Sequence, residues 1–442
     1  MERFVNLLNL NLFLHDKPDY GELSESLKFF YQNYFLLSGQ IRNCNTNLTK
    51  MIIQRTAGEK LKQLAIGFPA IAVIGPRQSG KTTLVRNIFP DLPYTLLEDP
   101  DTRQFAEEDP RTFLLQYAKT GAIIDEAQHV PQLFSYLQGF IDNKDTTGRF
   151  ILTGSQNFLL MEKISQSLAG RIGILKLLPL SMEELHRNGI HKNTYEEYLY
   201  QGCYPRLYSD PIIPSDYYSA YVQTYLERDL RQLKQVQNLS LFQTFLRMCA
   251  NRVGQVVNYS SLGNDCGINY KTAQEWLSLL ETSFIVFLVR THHKNFNKRL
   301  VQMPKLYFTD PGLAAYLIGI RSSDEILNHP MKGGLFETFI IGEFLKYRLN
   351  LGFESNLYFW RDKSGYEIDC LIDRAGTELI PVEMKAGRTI SGDYFKNIEY
   401  WNRLSGQKPE RSFVVYGGVT NQMRGPGHVI PYDSLGPIYD LL

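Results

Sequence analysis

Residues 75–82 have the pattern G-x-x-x-x-G-K-T, in which glycines let backbone N–H groups curl around a phosphate chain. The loop follows an apolar run, residues 70–74, and leads into a helix-like segment, which is the setting that the pattern requires. The helix N-terminus adds partial positive charge. We therefore expect ATP or GTP to bind here. The predicted nucleotide contacts are Gly75, Pro76, Arg77, Gln78, Ser79, Gly80, Lys81, Thr82 and Thr83.

Two acids, Asp125 and Glu126, end the apolar run 122–125. An Asp-Glu pair is common, but behind a phosphate loop it is typical of a Walker B strand. Asp125 would then hold Mg²⁺ together with the Thr82 hydroxyl. Glu126 would orient or deprotonate the attacking water, and Lys81 would reach the β- and γ-phosphates.

Polar residues follow the next apolar strand, at the edge where ligands of parallel sheets bind. Ser155, Gln156 or Asn157 would sense the γ-phosphate, although the same residue types are common in turns. Arg171 is a candidate arginine finger, with a surface ion pair as the alternative.

A second set of charged residues lies near the C-terminus. Asp369 belongs to the strand-like run 366–372, and Glu383 and Lys385 belong to a second run, 378–385. Alternation along a strand places Glu383 and Lys385 on one face, where Asp369 can meet them. Two carboxylates suit Mg²⁺ or Mn²⁺, and Lys385 would position or activate water. The alternative is an ordinary hairpin with an exposed Glu and Lys.

Glu337 is an acid on an otherwise apolar helical pattern, with Ile340, Ile341 and Phe344 as its neighbours on that face. A carboxylate on a buried face needs a partner, which a metal site would provide. The four positions together favour a nuclease-like fold, and leave open whether it cuts nucleic acid or only binds.

The elements that position these residues divide the chain into five segments. Residues 1–50 carry no motif and are an N-terminal extension that we expect to be dispensable. Residues 51–180 alternate strands and helices, which predicts βαβ units and a parallel sheet. A helical connector, 181–235, precedes a winged-helix-like segment, 236–312, and a nuclease-like α/β domain, 313–442. The predicted strands of the parallel sheet are 71–74, 94–97, 122–125, 150–153 and 172–177.

The winged-helix pattern consists of three helices and two strands. Asn269 is a plausible N-cap of the third helix. The tip between the strands, 292–299, is basic with one aromatic residue. It would either lie on a phosphate backbone or form a hairpin used for protein contacts. The predicted helices are 240–251, 259–264 and 270–280, and the predicted strands are 283–291 and 305–309.

Bulk composition narrows the setting. The net charge is +1, so any nucleic-acid surface must be a local patch. The 5 cysteines are scattered and suggest reduced thiols in a cytoplasmic protein. No apolar stretch reaches the roughly 20 residues that span a bilayer, so we expect no membrane partner.

Four sequence blocks, GPRQSGKTTL, AIIDEAQ, FILTGSQNF and SLAGRIGILKLLPLSMEEL, resemble the AAA+ ATPase domain of a large prokaryotic family of paired-domain proteins. The resemblance continues through YPRLYSD, YLERDL and YFTDPGLAAYL and covers roughly residues 51–442. The family's C-terminal domain has no assigned function, and here it carries the D…E-x-K signature of PD-(D/E)xK nucleases. The resemblance implies an α/β chain with an AAA+ P-loop parallel sheet, a helical and winged-helix segment, and a restriction-endonuclease-like α/β domain.

Two functions follow as hypotheses. The first is an ATPase that uses ATP and Mg²⁺ and is coupled to a DNA-directed nuclease-like domain. The second is a nucleotide-controlled switch whose C-terminal domain binds DNA or protein without cleavage. The sequence is also compatible with a homo-oligomer.

Overall fold

The computed structural model describes residues 52–142, 149–155, 157–226, 238–292 and 302–442. The predicted N-terminal extension, Gln156 and most of the predicted wing tip lie outside these residues. Residues 53–442 pack as one unit. Within the described part of the chain, every helix is too short or too polar to cross a bilayer.

The first sheet has five parallel strands in the order β2-β3-β4-β1-β5. Strands β1 and β3 are buried at every residue, because helices cover both faces of the sheet. This confirms the predicted parallel sheet. The strands are β1 (Ala70–Ile74), β2 (Tyr94–Leu96), β3 (Gly121–Asp125), β4 (Arg149–Gly154) and β5 (Ile172–Lys176).

Six helices accompany this sheet. The third and fourth begin with a proline, which cannot donate a backbone hydrogen bond and therefore suits the first turn. Asp99 and Asp109 cap these two helices by accepting hydrogen bonds from backbone N–H groups. The helices are α1 (Ala57–Gly67), α2 (Lys81–Ile88), α3 (Pro100–Glu108), α4 (Pro110–Leu115), α5 (Leu133–Asp142) and α6 (Asn157–Ser167).

The segment predicted as a helical connector follows. Its first helix begins with a capping box, in which Ser181 and Glu184 each accept a hydrogen bond from the other's backbone N–H. Its tyrosines pack with one another in the core, Tyr204 donating to the hydroxyl of Tyr221. The connector helices are α7 (Met182–Arg187), α8 (Tyr195–Gln201), α9 (Arg206–Ser209) and α10 (Pro214–Tyr221).

Three helices and a hairpin occupy the segment with the winged-helix pattern. They are α11 (Leu239–Ala250), α12 (Tyr259–Cys266), α13 (Tyr270–Thr282), β6 (Val286–Thr291) and β7 (Lys305–Phe308). Asn269 caps α13 by accepting a 2.9 Å hydrogen bond from the Thr272 N–H, which confirms the predicted cap. The individual elements are as expected, and the winged-helix assignment stays a prediction.

The second sheet has eight strands in the order β12-β13-β11-β10-β9-β8-β6-β7. Strand β6 pairs in parallel with β8, so the hairpin β6–β7 forms one edge of this sheet. The sheet therefore continues across the domain boundary predicted at residue 312. The remaining strands are β8 (Leu357–Arg361), β9 (Glu367–Asp373), β10 (Leu379–Lys385), β11 (Phe413–Tyr416), β12 (Gln422–Arg424) and β13 (Gly427–Pro431).

Helices cover both faces of the second sheet. The long helix α16 packs on the face that carries Cys370 and Ile372, and α17 packs on the face that carries Leu371. The cluster under α16 also includes residues of the connector, from Leu178 onward. One core thus joins the two halves of the chain. The helices are α14 (Pro311–Leu317), α15 (Ser323–Ile326), α16 (Lys332–Asn350), α17 (Lys396–Ser405) and α18 (Gly436–Tyr439).

Candidate functional site

The phosphate loop joins β1 to α2. Gly75 has a positive φ of 153°, and a Cβ atom there would lie 2.0 Å from the carbonyl oxygen of Leu177 at the end of β5. Only glycine fits this close approach. Lys81, the first residue of α2, is buried and donates to the carbonyl oxygens of Gly75 at 2.9 Å and Pro76 at 2.8 Å. The loop is thus folded around the ammonium group that the motif supplies.

Asp125, the last residue of β3, is surrounded by hydroxyl groups. Thr82 and Tyr94 each donate to its Oδ2 at 2.8 Å, and Thr153 of β4 donates to its Oδ1. These donors carry no charge, so they leave the negative charge of the carboxylate uncompensated. Burial, reinforced by the hydrogen bond to Asp125, raises the pKa of Tyr94. Tyr94 therefore remains a neutral donor.

These residues fit a magnesium nucleotide. The Thr82 hydroxyl and the Asp125 carboxylate are hard oxygen ligands in contact with each other, as Mg²⁺ requires. Ser79 Oγ is buried within the loop and has no hydrogen-bond partner among the described residues. A phosphate oxygen would satisfy it. Thr83 lies on the exposed side of α2.

Glu126 follows Asp125 in a left-handed conformation, with φ 55°, which turns its side chain toward the end of β4. Gln128 Nε2 and Ser155 Oγ donate to its Oε2 at 2.5 and 2.9 Å. Burial would raise the pKa of this carboxyl group, but Lys81, the Gln128 hydrogen bond and Arg77 together lower it. Glu126 is therefore ionised and held by two neighbours at the carboxyl edge of the sheet, as a group that orients or deprotonates water must be.

Arg55, which the sequence reasoning missed, ties the loop to the connector. Its guanidinium donates to the carbonyl oxygens of Ser79 and Leu178, both at 2.6 Å, and its Nε donates to Glu184 at 3.1 Å. Nothing in the sequence around Arg55 distinguishes this enclosed arginine from those on the surface. Gln128 was missed as well, although its position two residues after Glu126 is a signal that could have been used.

Arg171, the candidate arginine finger, forms an ion pair with Asp142. Its Nε and Nη2 donate to the two carboxylate oxygens at 2.7 and 2.9 Å. The structure thus shows the ion pair that the sequence left open as an alternative. A role for Arg171 at the nucleotide stays a prediction.

The second candidate site lies where β9 and β10 pair. Asp369 Oδ2 accepts a 3.0 Å hydrogen bond from the Met384 N–H, and Glu383 Oε1 accepts a 3.4 Å bond from the Asp369 N–H. Lys385 Nζ donates to Glu383 Oε2 at 2.6 Å and lies 3.7 Å from Asp369 Oδ2. The predicted trio is therefore together, with the Lys385 ammonium group in contact with both carboxyl groups.

Glu337 of α16 reaches the same cluster through a residue that the sequence reasoning missed. Lys305, the first residue of β7, places its Nζ 3.5 Å from Glu337 Oε2 and 3.4 Å from Asp369 Oδ1, and it also contacts Glu367. Tyr307 donates to Glu337 Oε2 at 3.1 Å. All four predicted residues are thus brought together, but around an ammonium group. We call this set, with Glu367 and Lys305, the acidic cluster.

The acids of the acidic cluster differ in their affinity for protons. Burial and the neighbouring Asp369 raise the pKa of Glu383 to about 8, against the opposing effect of Lys385. Burial and Asp369 likewise raise the pKa of Glu337 to about 7. Burial would also raise the pKa of Asp369, but Lys385 and Lys305 lower it. Of these three acids, Asp369 is therefore the one whose ionised form is favoured.

The acidic cluster does not fit a divalent cation as it stands. A metal ion bound between Glu337 and Asp369 would need the space that the Lys305 ammonium group fills. It would also need the negative charge that this ammonium group already neutralises. Across the described ranges, no group of three or more His, Cys, Asp and Glu side chains is arranged to hold a metal ion. The metal predicted at Asp369 and Glu383 stays a prediction.

Helix α16 connects the acidic cluster with the connector. Beyond Glu337, it carries Glu343, which accepts a 2.7 Å hydrogen bond from the Met182 N–H, and Lys346, which donates to the Leu180 carbonyl at 2.9 Å. Glu343 and Lys346 also pair with each other at 2.9 Å and are almost fully buried. Helix α16 therefore contacts the acidic cluster near its first turns and the connector further along. Arg55 in turn bonds the connector to the phosphate loop.

The arrangement around Gly75, Lys81, Asp125 and Glu126 defines the class of P-loop nucleotide-binding domains. Comparison with known families agrees, since residues 67–186 match the family described as AAA domain. This part of the chain is an ATPase domain of the AAA, P-loop type. Residues 192–324 and 332–435 match two families described as domains of unknown function, DUF8612 and DUF4143.

Two relatives that align with most of the chain are themselves described as uncharacterized proteins. The chain is 29% identical over 330 residues to uncharacterized proteins of Mycobacterium bovis and Mycobacterium tuberculosis, covering 74% of this chain and 72% of each relative. Among solved structures, a Walker-type ATPase of Pyrococcus abyssi is 15% identical with a TM-score of 0.39, covering 60% of this chain and 96% of that one. RuvB of Thermotoga maritima is 18% identical with a TM-score of 0.30, covering 53% and 88%.

Proposed function

We propose that the AAA domain binds ATP with Mg²⁺ and hydrolyses it. The observation that carries this proposal is Glu126, an ionised carboxylate held by Gln128 and Ser155 beside the phosphate loop. Lys81 and the loop N–H groups would bind the phosphates, and Thr82 with Asp125 would hold the metal. When bound, Mg²⁺ supplies positive charge that stabilises the phosphate oxygens as they transfer.

Replacing Glu126 tests this proposal. Glu126→Gln keeps the shape and hydrogen bonding of the side chain but removes the base. We expect ATP binding to persist while phosphate release slows about 10²- to 10⁴-fold. The exposed Glu107 of α3 offers a matched control, since Glu107→Gln makes the same chemical change away from the loop. Hydrolysis at the wild-type rate in Glu126→Gln contradicts the proposed role.

We further propose that the C-terminal domain is the output of a nucleotide-controlled switch that does not cut nucleic acid. The support is the acidic cluster, in which Lys305 and Lys385 pair with the carboxylates. Arg55 donates hydrogen bonds to the phosphate loop and to Glu184, and further hydrogen bonds join α16 with the connector. Together they give a physical route between nucleotide and cluster.

Hydrogen exchange tests the switch. We expect ATP, held in the slowly hydrolysing Glu126→Gln variant, to change backbone protection in β7 and α16 relative to ADP. Arg55→Lys keeps the charge, but its single nitrogen cannot reach the three acceptors that the three guanidinium nitrogens contact, so it should weaken that change. Lys62→Arg makes the reverse exchange of lysine and arginine on the exposed face of α1 and serves as the control. Identical protection with ATP and ADP rules out the switch.

A nuclease is the second candidate, because Glu337, Asp369, Glu383 and Lys385 converge as the D…E-x-K signature implies. Incubation with plasmid DNA or RNA, Mg²⁺ or Mn²⁺, and ATP separates the two candidates. Cleavage by the wild type that is lost in Asp369→Ala supports the nuclease. Binding without cleavage supports the switch.

DNA is the proposed macromolecular partner, on the basis of the basic residues of the wing tip, which lie outside the described part of the chain. Replacing Lys294, Lys298 and Arg299 with Ala should weaken DNA binding for all sequences alike. The slope of its salt dependence should fall by about one per lost contact. Unchanged affinity and slope would point to protein contacts. We also propose a cytoplasmic location, which the four buried free cysteines of the described residues support. Self-association of the chain is a further proposal, and sedimentation of the full chain tests it.

A further inference from the structure

Lys305 is the most enclosed charged side chain of the acidic cluster apart from Glu383. Its side chain is only 2% exposed, whereas those of Glu337, Glu367 and Asp369 are 18%, 20% and 10% exposed. The three carboxylates surround the Nζ atom from α16 and from β9. An ammonium group is buried at such a place only when carboxylates compensate for its lost hydration.

The position of Nζ is also the position that a shared cation would need. Glu337 Oε2 and Asp369 Oδ1 belong to different elements, and both lie within 3.5 Å of this one atom. Lys385 is placed differently, since it lies beside Glu383 on β10 and is 27% exposed. Lys305 is therefore enclosed within the cluster, and Lys385 lies at its margin.

The sheet edge holds Lys305 in place. Strand β7 pairs with β6 along its length, and the Gly254 N–H donates to the Leu306 carbonyl at 2.8 Å on the other side. Val256 forms a bridge with Lys305 itself. The ammonium group can leave the carboxylates only if the Lys305 side chain adopts another rotamer or if β7 separates from these neighbours.

We infer that Lys305 is the resident cation of the acidic cluster and that it excludes Mg²⁺ and Mn²⁺ from the predicted metal site. The D…E-x-K residues are then present and correctly assembled, but neutralised from within by a residue of the neighbouring hairpin. This inference rests on the proposed non-cleaving role of the C-terminal domain. It adds to that role the residue responsible.

Direct measurement of Mn²⁺ binding tests the inference without any activity assay. Free Mn²⁺ is titrated by electron paramagnetic resonance in the full chain, comparing the wild type with Asp369→Asn. Any Mn²⁺ held at the phosphate loop contributes equally to both proteins, so the difference reports the acidic cluster alone. We expect no difference. One additional Mn²⁺ per chain in the wild type overturns the inference.

Removing the ammonium group supplies the opposite test. We expect Lys305→Ala to gain one Mn²⁺ per chain and to lose it again when Asp369→Asn is added. Lys305→Gln, which keeps most of the side-chain volume, serves if the alanine variant does not fold. Lys385→Ala removes a lysine from the margin of the same cluster, and we expect it to bind no more Mn²⁺ than the wild type.

The outcomes separate this inference from the proposed function. A folded Lys305 variant without additional Mn²⁺ overturns the inference, and so does a gain that Lys385→Ala shows equally. ATP hydrolysis is measured on the same samples. If the Mn²⁺ titrations contradict the inference while ATP is hydrolysed normally, the ATPase proposal is unaffected. DNA cleavage by the wild type would instead overturn the proposed non-cleaving role.

Discussion

The phosphate loop and the acidic cluster both combine lysines with carboxylates, yet they compensate charge in opposite ways. At the loop, Lys81 donates to backbone carbonyls and Asp125 receives hydrogen bonds from hydroxyl groups. In the acidic cluster, Lys305 and Lys385 donate directly to carboxylates. Neutral donors position an acid and leave its charge for a ligand, whereas ammonium groups position an acid and cancel its charge. The same residue types therefore predict a ligand site only together with their partners.

The largest effect that we expect is a loss of folding stability when Lys305 is removed from the acidic cluster. Lys305→Ala leaves Glu337, Glu367 and Asp369 facing one another without their cation. Removing one partner of a buried ion pair costs about 3–5 kcal/mol, so the free energy of unfolding should fall by that amount. Lys385→Ala, at the more exposed margin, should cost less. Urea unfolding of both variants without divalent metal measures the difference, and equal losses would contradict the distinction between centre and margin.

Removing the lysine of the loop should affect binding more than folding. Lys81→Ala deletes hydrogen bonds to two backbone carbonyls and a positive charge near the phosphates. A hydrogen bond to a charged group contributes about 1.5–3 kcal/mol, so nucleotide affinity should fall roughly 10- to 150-fold. Fluorescent-nucleotide titration measures the loss. Lys62→Ala, on the exposed face of α1, is the control. Undiminished affinity would show that Lys81 does not contact the phosphates.

The two sites should also differ in the sign of their pH dependence. The pKa of Glu383 is raised from 4.5 to about 8, so its contribution to stability is complete below pH 4.5 and is lost as the pH rises to about 8. The pKa of Glu126 is lowered, so its contribution is present above pH 4.5 and is lost on further acidification. Each slope is at most about 1.4 kcal/mol per pH unit.

Unfolding midpoints measured across this pH range check both signs. Glu383→Gln should flatten the decline between pH 4.5 and 8, and Glu126→Gln should flatten only the acid side. The two variants serve as controls for each other, because both make the same change from Glu to Gln. Glu337, whose pKa is raised to about 7, contributes to the same decline, so some decline remains in Glu383→Gln. A decline as steep in Glu383→Gln as in the wild type would assign all of it to another group.

The smallest effect concerns a single neutral donor. Tyr94→Phe removes one hydroxyl group from Asp125 and keeps the ring over which Arg86 lies. A neutral hydrogen bond contributes about 0.5–1.5 kcal/mol, so the loss of stability should stay in that range. Chemical unfolding measures it. A loss as large as that of Lys305→Ala would mean that hydroxyl groups and ammonium groups do not differ here as we argue.

The sequence predicted what depends on neighbours along the chain. The loop, the acids that follow β3, the five parallel strands and the Asn269 cap are local patterns, in which spacing determines geometry. The grouping of Glu337 with Asp369 and Glu383 was also predicted, from strand alternation and the resemblance to the D…E-x-K signature. Lys305 could not be found this way, because it lies 32 residues from Glu337 and 64 from Asp369 and sits in a different predicted segment. Arg55 was missed for the same reason, since its partners are set by packing.

The continuous second sheet determines where a recombinant fragment of this chain can begin. The family match that begins at residue 332 excludes β6 and β7. A fragment made to that boundary would leave β8 without its parallel neighbour and the carboxylates without Lys305. An unpaired strand offers its free N–H and C=O groups to another chain, which promotes aggregation. Buried carboxylates without a cation separately lower the stability of the fold. A recombinant piece that starts ahead of α11, at residue 238, would retain both and should be the better behaved.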